Sequence, residues 1–544
     1  MYTLLVVLFF TAYMSVLSYI LYFHEQHHLF LFSKSYFNNI VHSAGIFAYI
    51  TNFIIQFFYF PWLGSLLLAL LLSSIYALIA YIARRITGKT DPLHLGIIPV
   101  VYLFIRTLSV DYDLSSIIAS LIPLCVIALT VTFFSGRRKY PIAVVVCSAL
   151  ICFVPWKIIE GAIVVIIITI LSTLSSYGLR NIIKKKSLII TSITIIAYLG
   201  AGFYFFTKNF NTGEKYMILV KKTAGEKKWG ETIDLTDRYL ASGRKNLLML
   251  YYRNIALFHN GRLGDDMFNM PQTFGHLALC FPWRGNSRDT EYGQDAYYEL
   301  EYWNAAQRWA FEAMVVWGET APCLINLAKC NIKIKRKAVA QKYINSLNQS
   351  AFYRKTAEEL EKELAFLSDE QTTKDRNESY PGNSSSEEDV SVKLDESATF
   401  SGKDDILWDL QLLCDHYPDN KMAFEYFMNA LLLNNFVLDF AQNLHRIKAF
   451  DYKKMPRIYD EALCICKMME EEEFVKLGIE VSSETEARFQ RYFELYKQSN
   501  RVGLKREFEN SYWYYIHFVN PKGSQLLRQE KHFRTEVPQG GLEH

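Results

Sequence analysis

Long apolar stretches separated by short charged segments dominate the first 207 residues of the chain. A helix needs about 20 mostly apolar residues to cross the roughly 30 Å hydrocarbon core of a bilayer. The pattern predicts seven membrane spans, at residues 2–23, 61–83, 93–109, 114–134, 140–155, 161–179 and 187–206. The third and fifth of these are short. Residues 1–207 are therefore predicted to form a polytopic transmembrane helical bundle, and the fold class is predicted to be all-α.

After residue 207 the apolar positions recur with helical spacing among many charged residues. The stretches YRNIALFHNGRLGD and LINLAKCNIKIKRKAVAQKYINSL place aromatic and small residues where tetratricopeptide helices pack against each other. This pattern predicts a soluble tetratricopeptide-like α-solenoid in two parts, 208–367 and 405–521. The acidic, serine-rich residues 368–404 between them predict a disordered insertion. Residues 522–544 are a polar tail whose last three residues resemble the start of an affinity tag.

Basic residues cluster after the second, fourth and sixth predicted spans, at 84–89, 137–139 and 180–186. By the positive-inside rule these loops, and with them the N-terminus, are predicted to be cytoplasmic. The C-terminal domain is then predicted to lie on the far side, which in a bacterial inner membrane is the periplasm. The loop 24–60 is aromatic and amphipathic, and it predicts one or two helices in the outer interface.

Composition narrows the function classes. The chain has 544 residues, of which 51% are hydrophobic and 21% charged, and the long apolar runs that recur before residue 207 exclude a single soluble domain. A formal net charge of +3 gives no argument for nucleic acid as a partner. The nine cysteines include no CxxC pair, so a structural zinc site built from cysteines is not predicted.

The sharpest short motif is His24-Glu25-Gln26-His27-His28, which satisfies H-E-x-x-H. On a continuous helix His24 and His28 share one face and could bind zinc, with Glu25 as the general base of a metalloprotease. The sequence shows no obvious third ligand. The alternative is that this motif is an interfacial polar cluster at the end of the first span.

Acidic residues also stand at the predicted outer ends of the spans: Glu25, the pair Asp111 and Asp113, and Glu160. Carboxylates at this boundary could act as a base toward an acceptor hydroxyl or hold a divalent metal, although the cofactor itself is unknown from the sequence. The cations Arg106 and Lys157 could hold a lipid-linked phosphate. The alternative for each carboxylate is plain solvation at a loop tip.

This arrangement resembles the GT-C class of membrane glycosyltransferases and oligosaccharyltransferases. The resemblance covers about residues 1–207: an acidic residue just after the first span, an amphipathic loop with interfacial helices, a D-x-D pair in a later outward loop, and a periplasmic C-terminal domain. It implies that Glu25 is the acidic residue essential for transfer from a polyprenyl-phosphate donor. It also implies that Asp111 or Asp113 has the second acidic role.

The stretches EQHHLFLFSKSYF, QFFYFPWLG and YWNAAQRWAFEAMVVWGETAPCLINLA are similar to those of a family of bacterial multi-pass envelope proteins with a tetratricopeptide-like C-terminal domain. That resemblance implies the two-part organisation and no activity.

In the soluble half, Trp283, Arg284 and Arg288 begin a segment dense in aromatic and charged residues. This segment could bind a sugar or a peptide, or its aromatic residues could simply be packed in the core.

The sequence thus favours a membrane glycosyltransferase that transfers a sugar from a polyprenyl-phosphate-linked donor to a protein or glycan acceptor on the periplasmic face. Glu25, Asp111 and Asp113 are the predicted catalytic residues, and the predicted substrate-binding residues are Arg106, Lys157, Glu160, Trp283, Arg284 and Arg288. Membrane lipid is an expected partner and nucleic acid is not. The alternatives are a non-enzymatic envelope scaffold and a zinc protease using His24 and His28.

Overall fold

A computed structural model describes residues 1–134, 154–178, 187–281, 289–377, 406–476 and 478–520. Every regular element within these ranges is helical, so the predicted all-α fold class is confirmed there. The chain divides into two compact units. The membrane unit comprises residues 1–215, 319–322 and 345–359, and the C-terminal unit comprises residues 216–318, 323–344 and 360–544.

The membrane unit contains nine described helices before residue 210. They are α1 (Tyr2–Ser15), α2 (Ser18–His27), α3 (Lys34–Ser43), α4 (Gly45–Ile55), α5 (Pro61–Thr87), α6 (Ile97–Arg106), α7 (Ser115–Phe133), α8 (Ile159–Gly178) and α9 (Ser187–Asn209). The longest, α5, packs against α1, α7 and α8. Pro61 begins α5 where no helical hydrogen bond is lost, and Gly88 ends it in the left-handed conformation.

Four described helices are long and apolar enough to cross a membrane, which is consistent with a membrane protein. They are Pro61–Thr87, Ser115–Phe133, Trp156–Tyr177 and Ile189–Asn209. Helices α1 and α2 together would make a fifth span, although they meet at a bend of 74°. The prediction of seven spans is therefore wrong for the described residues. Nearly all of the predicted span 140–155 lies outside them.

The first apolar run breaks into two helices, and side-chain hydroxyl groups bond to the backbone just before the break. The Oγ1 atom of Thr11 donates to the carbonyl groups of Val7 and Leu8 at 2.9 Å, and Oγ of Ser15 donates to the carbonyl of Thr11 at 2.6 Å. Such bonds to the preceding turn compete with helical amides and bend helices. Helix α1 ends at Ser15, and α2 begins three residues later at an angle of 74° to it.

The predicted span 93–109 is replaced by a loop and the ten-residue helix α6, which at about 1.5 Å per residue is only about 15 Å long. The cause is Asp91, which is buried with 8% of its surface exposed. Its carboxylate accepts hydrogen bonds from the amides of Leu93 and Leu95 at 3.1 and 2.9 Å. The hydroxyl groups of Ser172 and Ser175 in α8 donate to it at 2.8 and 2.9 Å. These four bonds hold the loop in a non-helical conformation.

Replacing Asp91 with Asn should therefore lower the stability of the membrane unit. An amide presents one acceptor oxygen where the carboxylate presents two, so at least one buried donor loses its partner, at a cost of about 1–3 kcal/mol. The measurement is the apparent melting temperature of the purified protein in detergent. The exposed Asp111→Asn serves as the control, and equal melting temperatures for the two variants would contradict this role of Asp91.

The loop 24–60 contains the two helices α3 and α4, followed by a short 3-10 turn at Gln56–Tyr59. Phe30 is buried at the centre of an aromatic cluster, with its ring centroid 5.3 Å from that of Tyr36, 5.2 Å from Tyr49 and 5.4 Å from Phe53. The hydroxyl of Ser33 caps α3 by accepting from the amide of Tyr36. The loop is thus a packed subdomain that leads from α2 to α5.

The C-terminal unit is built from helices packed mainly against their neighbours in sequence. Its helices are α10 (Thr212–Gly225, which begins in the membrane unit), α11 (Trp229–Leu240), α12 (Leu247–His259), α13 (Leu263–Asp266), α14 (Thr290–Glu299), α15 (Trp303–Trp317), α16 (Ala321–Lys333), α17 (Lys337–Asn348), α18 (Arg354–Asn377), α19 (Ile406–His416), α20 (Lys421–Leu433), α21 (Val437–Asn443), α22 (Arg457–Met469), α23 (Glu471–Lys476), α24 (Ser483–Lys497), α25 (Arg501–Phe508) and α26 (Tyr512–Tyr514). Helix α18 extends to Asn377, past the predicted start of the insertion at 368. The rest of that insertion, residues 378–404, lies outside the described residues.

Helices α14 and α15 pack closely against each other. A Cβ atom added to Gly293 in α14 would lie 2.5 Å from a ring carbon of Trp309 in α15, so the indole packs directly on the glycine backbone. Tyr292, Tyr297 and Tyr302 are buried in the surrounding core. These tyrosines and Trp309 are therefore core residues, as one of the two sequence-based interpretations held for the segment, whereas Phe311 is 48% exposed.

Candidate functional site

Glu25 lies at the end of α2 and is buried, with 7% of its surface exposed. The hydroxyl group of Tyr353 donates a hydrogen bond to one carboxylate oxygen. The side-chain amide of Gln26 donates to the other at 2.6 Å and lies 3.3 Å from the Tyr353 hydroxyl. Burying a carboxylate is costly unless hydrogen bonds compensate for the lost water. These three side chains therefore form a hydrogen-bonded polar cluster in the membrane unit.

Tyr353 belongs to residues 345–359, which the sequence places in the soluble half but the fold places in the membrane unit. The carbonyl of Gln349 accepts from the amide of Phe32 at 2.9 Å. The ring of Phe352 stacks on Tyr59 at 5.5 Å and packs edge-on against Phe57 and Phe60. This aromatic contact fixes the position of the neighbouring Tyr353. Burial and the adjacent Glu25 raise the pKa of Tyr353 well above its usual value, so this residue remains a hydrogen-bond donor at neutral pH.

The two histidines of the H-E-x-x-H motif do not share a continuous helix, because α2 ends at His27 and His28 follows it in a non-helical conformation. Nδ1 of His28 lies 2.9 Å from the carbonyl of His24. His24 is 2% exposed, and neither of its ring nitrogens has a hydrogen-bond partner. No group of three or more His, Cys, Asp or Glu side chains suited to a metal ion occurs among the described residues.

The predicted pair Asp111 and Asp113 lies in the exposed loop between α6 and α7. One carboxylate oxygen of Asp113 accepts from the amide of Ser115 at 2.8 Å and so stabilises the start of α7. Asp113 is also close enough to His28 to act on its protonation. Burial lowers the pKa of His28, and the negative charge of Asp113 partly opposes this effect. The loop that carries Asp113 therefore approaches the end of α2.

Arg106 at the end of α6 forms an ion pair with Glu160 at the start of α8, with 3.6 Å between the charged atoms. The hydroxyl of Tyr102, one turn earlier in α6, donates to the same carboxylate. The guanidinium of Arg106 lies 5.1 Å from the ring centre of Tyr112. The side chains of Arg106 and Glu160 are 48% and 61% exposed, so this pair is open to a ligand. Lys157 is also exposed, in the 3-10 turn before α8.

An apolar groove of about 390 Å³ lies between α1, α6 and α9. It is lined by Met1, Leu4, Leu5, Leu8, Phe9, Ala12, Ile97, Val101, Phe104, Ile195, Tyr198, Leu199, Gly202, Phe203 and Phe206. A row of aromatic contacts continues from it: Phe104 with Phe206 at 6.2 Å, Phe206 with Phe210 at 5.4 Å, and Phe210 with Tyr19 at 6.4 Å. Tyr19 belongs to α2, the helix that carries Glu25.

The residues that the sequence singled out in the membrane unit have separate local environments, and none of them lines the apolar groove. Glu25 and His24 are buried in α2, Asp113 lies near His28, and Arg106 pairs with Glu160. Trp283, Arg284 and Arg288 lie outside the described residues. Sequence reasoning did not identify Tyr353 as a site residue. The local sequence marks this position only by two adjacent aromatic residues, Phe352 and Tyr353, in a polar stretch.

Comparison with known proteins gives a family but no activity. The sequence profile of a family of unknown function, DUF6057, matches residues 1–212 and 153–519. No curated protein and no solved structure matches the chain.

Proposed function

Because the chain belongs to DUF6057, a family of unknown function, we propose its activity from the geometry of the membrane unit. The proposed function is a membrane glycosyltransferase that transfers a sugar from a polyprenyl-phosphate-linked donor to an acceptor hydroxyl. One observation carries this proposal. An apolar groove between three helices continues through a row of aromatic rings to α2, whose end lies near an exposed carboxylate, Asp113. The groove could hold the apolar polyprenyl tail of the donor, and the polar end of α2 could hold its sugar phosphate.

The residues supply the chemistry as follows. A carboxylate of Asp113 or Glu25 accepts the proton of the acceptor hydroxyl, and the oxygen then attacks the anomeric carbon of the sugar. The bond from that carbon to the phosphate oxygen breaks, and polyprenyl phosphate leaves with the electron pair. Arg106 stabilises the negative charge on the phosphate by exchanging its partner Glu160 for it. In this structure the hydroxyl of Tyr353 occupies the Glu25 carboxylate. Glu25 therefore acts only in a state in which Tyr353 has moved away.

The proposal includes a location and an acceptor. The basic clusters at 84–89, 137–139 and 180–186 favour a cytoplasmic N-terminus in a bacterial inner membrane, with the reaction on the periplasmic face. The C-terminal unit would be a tetratricopeptide-like solenoid that binds a protein or glycan acceptor. Helices packed mainly against their sequence neighbours support this part.

The test uses the full-length protein in liposomes with a polyprenyl phosphate that carries a radiolabelled sugar and a photoreactive tail, together with a bacterial envelope extract that supplies acceptor hydroxyl groups. We expect crosslinks to α1, α6 or α9, and release of label from the lipid. Asp113→Asn or Glu25→Gln should lower the release at least about a hundredfold, as loss of a general base does. Arg106→Gln should weaken crosslinking. The exposed Arg85→Gln in α5 is the matched control.

Crosslinks that map outside the groove, or equal release by Arg106→Gln and Arg85→Gln, would contradict the proposal. A second candidate is a non-enzymatic membrane-anchored scaffold, and the closed state of Glu25 favours it. A scaffold would bind no donor in the groove and release no label. Zinc that is bound stoichiometrically and lost in His28→Ala would instead support the protease alternative.

A further inference from the structure

A separate groove of about 1060 Å³ lies in the C-terminal unit, between α25 and two loops that follow α11 and α13. Arg501, Lys505 and Arg506 of α25 line one wall. Leu240, Met270, Pro271 and Tyr514 contribute an apolar surface to it. The turn after α11, which lines the groove at Gly243, continues into the exposed residues Arg244 and Lys245. The groove therefore combines apolar surface with a basic rim.

The carboxylates in the groove are already neutralised. Glu507 accepts from Arg491 and from Arg506, each at 3.4 Å, and these arginines hold the pKa of Glu507 below its usual range. Glu509 lies 3.7 Å from Lys505, but both side chains are at least half exposed. An exposed pair of this kind contributes little stability, so Lys505 can exchange its partner at little cost.

Arg501 at the start of α25 and its apolar neighbour Val502 are also exposed to a ligand in the groove. The guanidinium of Arg501 has a cation–π contact with Phe518 at 5.9 Å and is exposed. Val502 beside it is 80% exposed, so its apolar side chain can contact a ligand. A ligand that fits this wall needs negative charges spaced along it and an apolar group between them.

We infer that this groove binds an acidic peptide segment of a partner protein, with carboxylates on Arg501 and Lys505 and an apolar side chain against Val502. A nucleic acid fits less well, because only one aromatic side chain, Tyr514, lines the groove, and a single ring offers little surface for stacking bases. A lipid surface fits less well because the groove is concave and half polar. This inference concerns a different unit and goes beyond the proposed transferase activity.

The test measures fluorescence anisotropy of a labelled twelve-residue peptide of alternating Glu and Leu pairs, titrated with the full-length protein in a nonionic detergent. The same peptide with Gln in place of Glu is the comparison ligand. We expect binding that weakens with salt and at least a tenfold higher Kd for the Gln peptide. The double variant Arg501→Glu, Lys505→Glu should raise Kd at least tenfold, and Val502→Ser by about threefold.

The matched control is the double variant Lys453→Glu, Lys454→Glu, which changes the net charge equally at two exposed lysines of another loop. This control should bind the Glu peptide as the unchanged protein does. The inference is overturned if the control loses affinity as much as the groove variant. It is also overturned if an oligonucleotide of equal charge, or anionic vesicles, bind more tightly and depend on the same residues.

Discussion

Replacing Tyr353 with Phe is expected to lower the free energy of unfolding of the membrane unit by about 1.5–3 kcal/mol, the usual contribution of a hydrogen bond to a charged group. The reason is that the Glu25 carboxylate stays buried while it loses one of its two side-chain donors. The measurement is the apparent melting temperature and denaturant midpoint in detergent. Tyr59→Phe is the matched control, because Tyr59 packs against Tyr353 but is 44% exposed.

A double-mutant cycle shows whether the effect belongs to this pair. In a Glu25→Gln background there is no charge to stabilise, so Tyr353→Phe should cost clearly less than in the unchanged protein. An equal cost in both backgrounds would mean that the tyrosine hydroxyl acts elsewhere. A Tyr353→Phe variant as stable as Tyr59→Phe would contradict the pairing altogether.

The second large effect is expected in the C-terminal unit. Gly293→Ala should destabilise it by about 1–3 kcal/mol, because the new methyl group would overlap the Trp309 ring and force α14 and α15 apart. Gly230→Ala in α11 is the matched control, since a Cβ there meets nothing within 4 Å. Alanine favours a helix more than glycine does, so the control should be neutral or slightly more stable.

Unfolding of the two alanine variants is followed by circular dichroism in denaturant. A smaller side chain at 309 should relieve the overlap, so the cost of Gly293→Ala should fall in a Trp309→Leu background. If Gly293→Ala and Gly230→Ala unfold at the same denaturant concentration, the close packing of the indole on Gly293 is not a source of stability.

The fold class could be predicted because apolar periodicity is a local property of the chain. The number of spans could not, since it depends on contacts between distant residues. The stretch 93–109 is apolar enough to be a helix, yet Asp91 holds its first residues as a loop through two serines about 80 positions away. Hydropathy averages over such a stretch and contains no information about these partners.

In the candidate site, too, the local features could be predicted from the sequence and the contacts between distant residues could not. Glu25 could be found from the sequence because an acidic residue directly after an apolar run is conspicuous. Tyr353 could not, because no pattern links two residues 328 positions apart. The H-E-x-x-H spacing predicts a zinc site only if His24 and His28 lie on one continuous helix. The helix ends at His27, and no proline or glycine nearby in the sequence marks this end.

The position of Tyr353 also affects how the protein is made. A ribosome that adds about 5–20 residues each second needs roughly 16–66 seconds to travel the 328 residues from Glu25 to Tyr353. During that interval α2 is already synthesised while its buried carboxylate lacks its tyrosine donor. The nascent membrane unit therefore needs another means of keeping Glu25 solvated or neutral, such as water, a proton or an insertion factor. A chain that ends before residue 345 would never complete this unit.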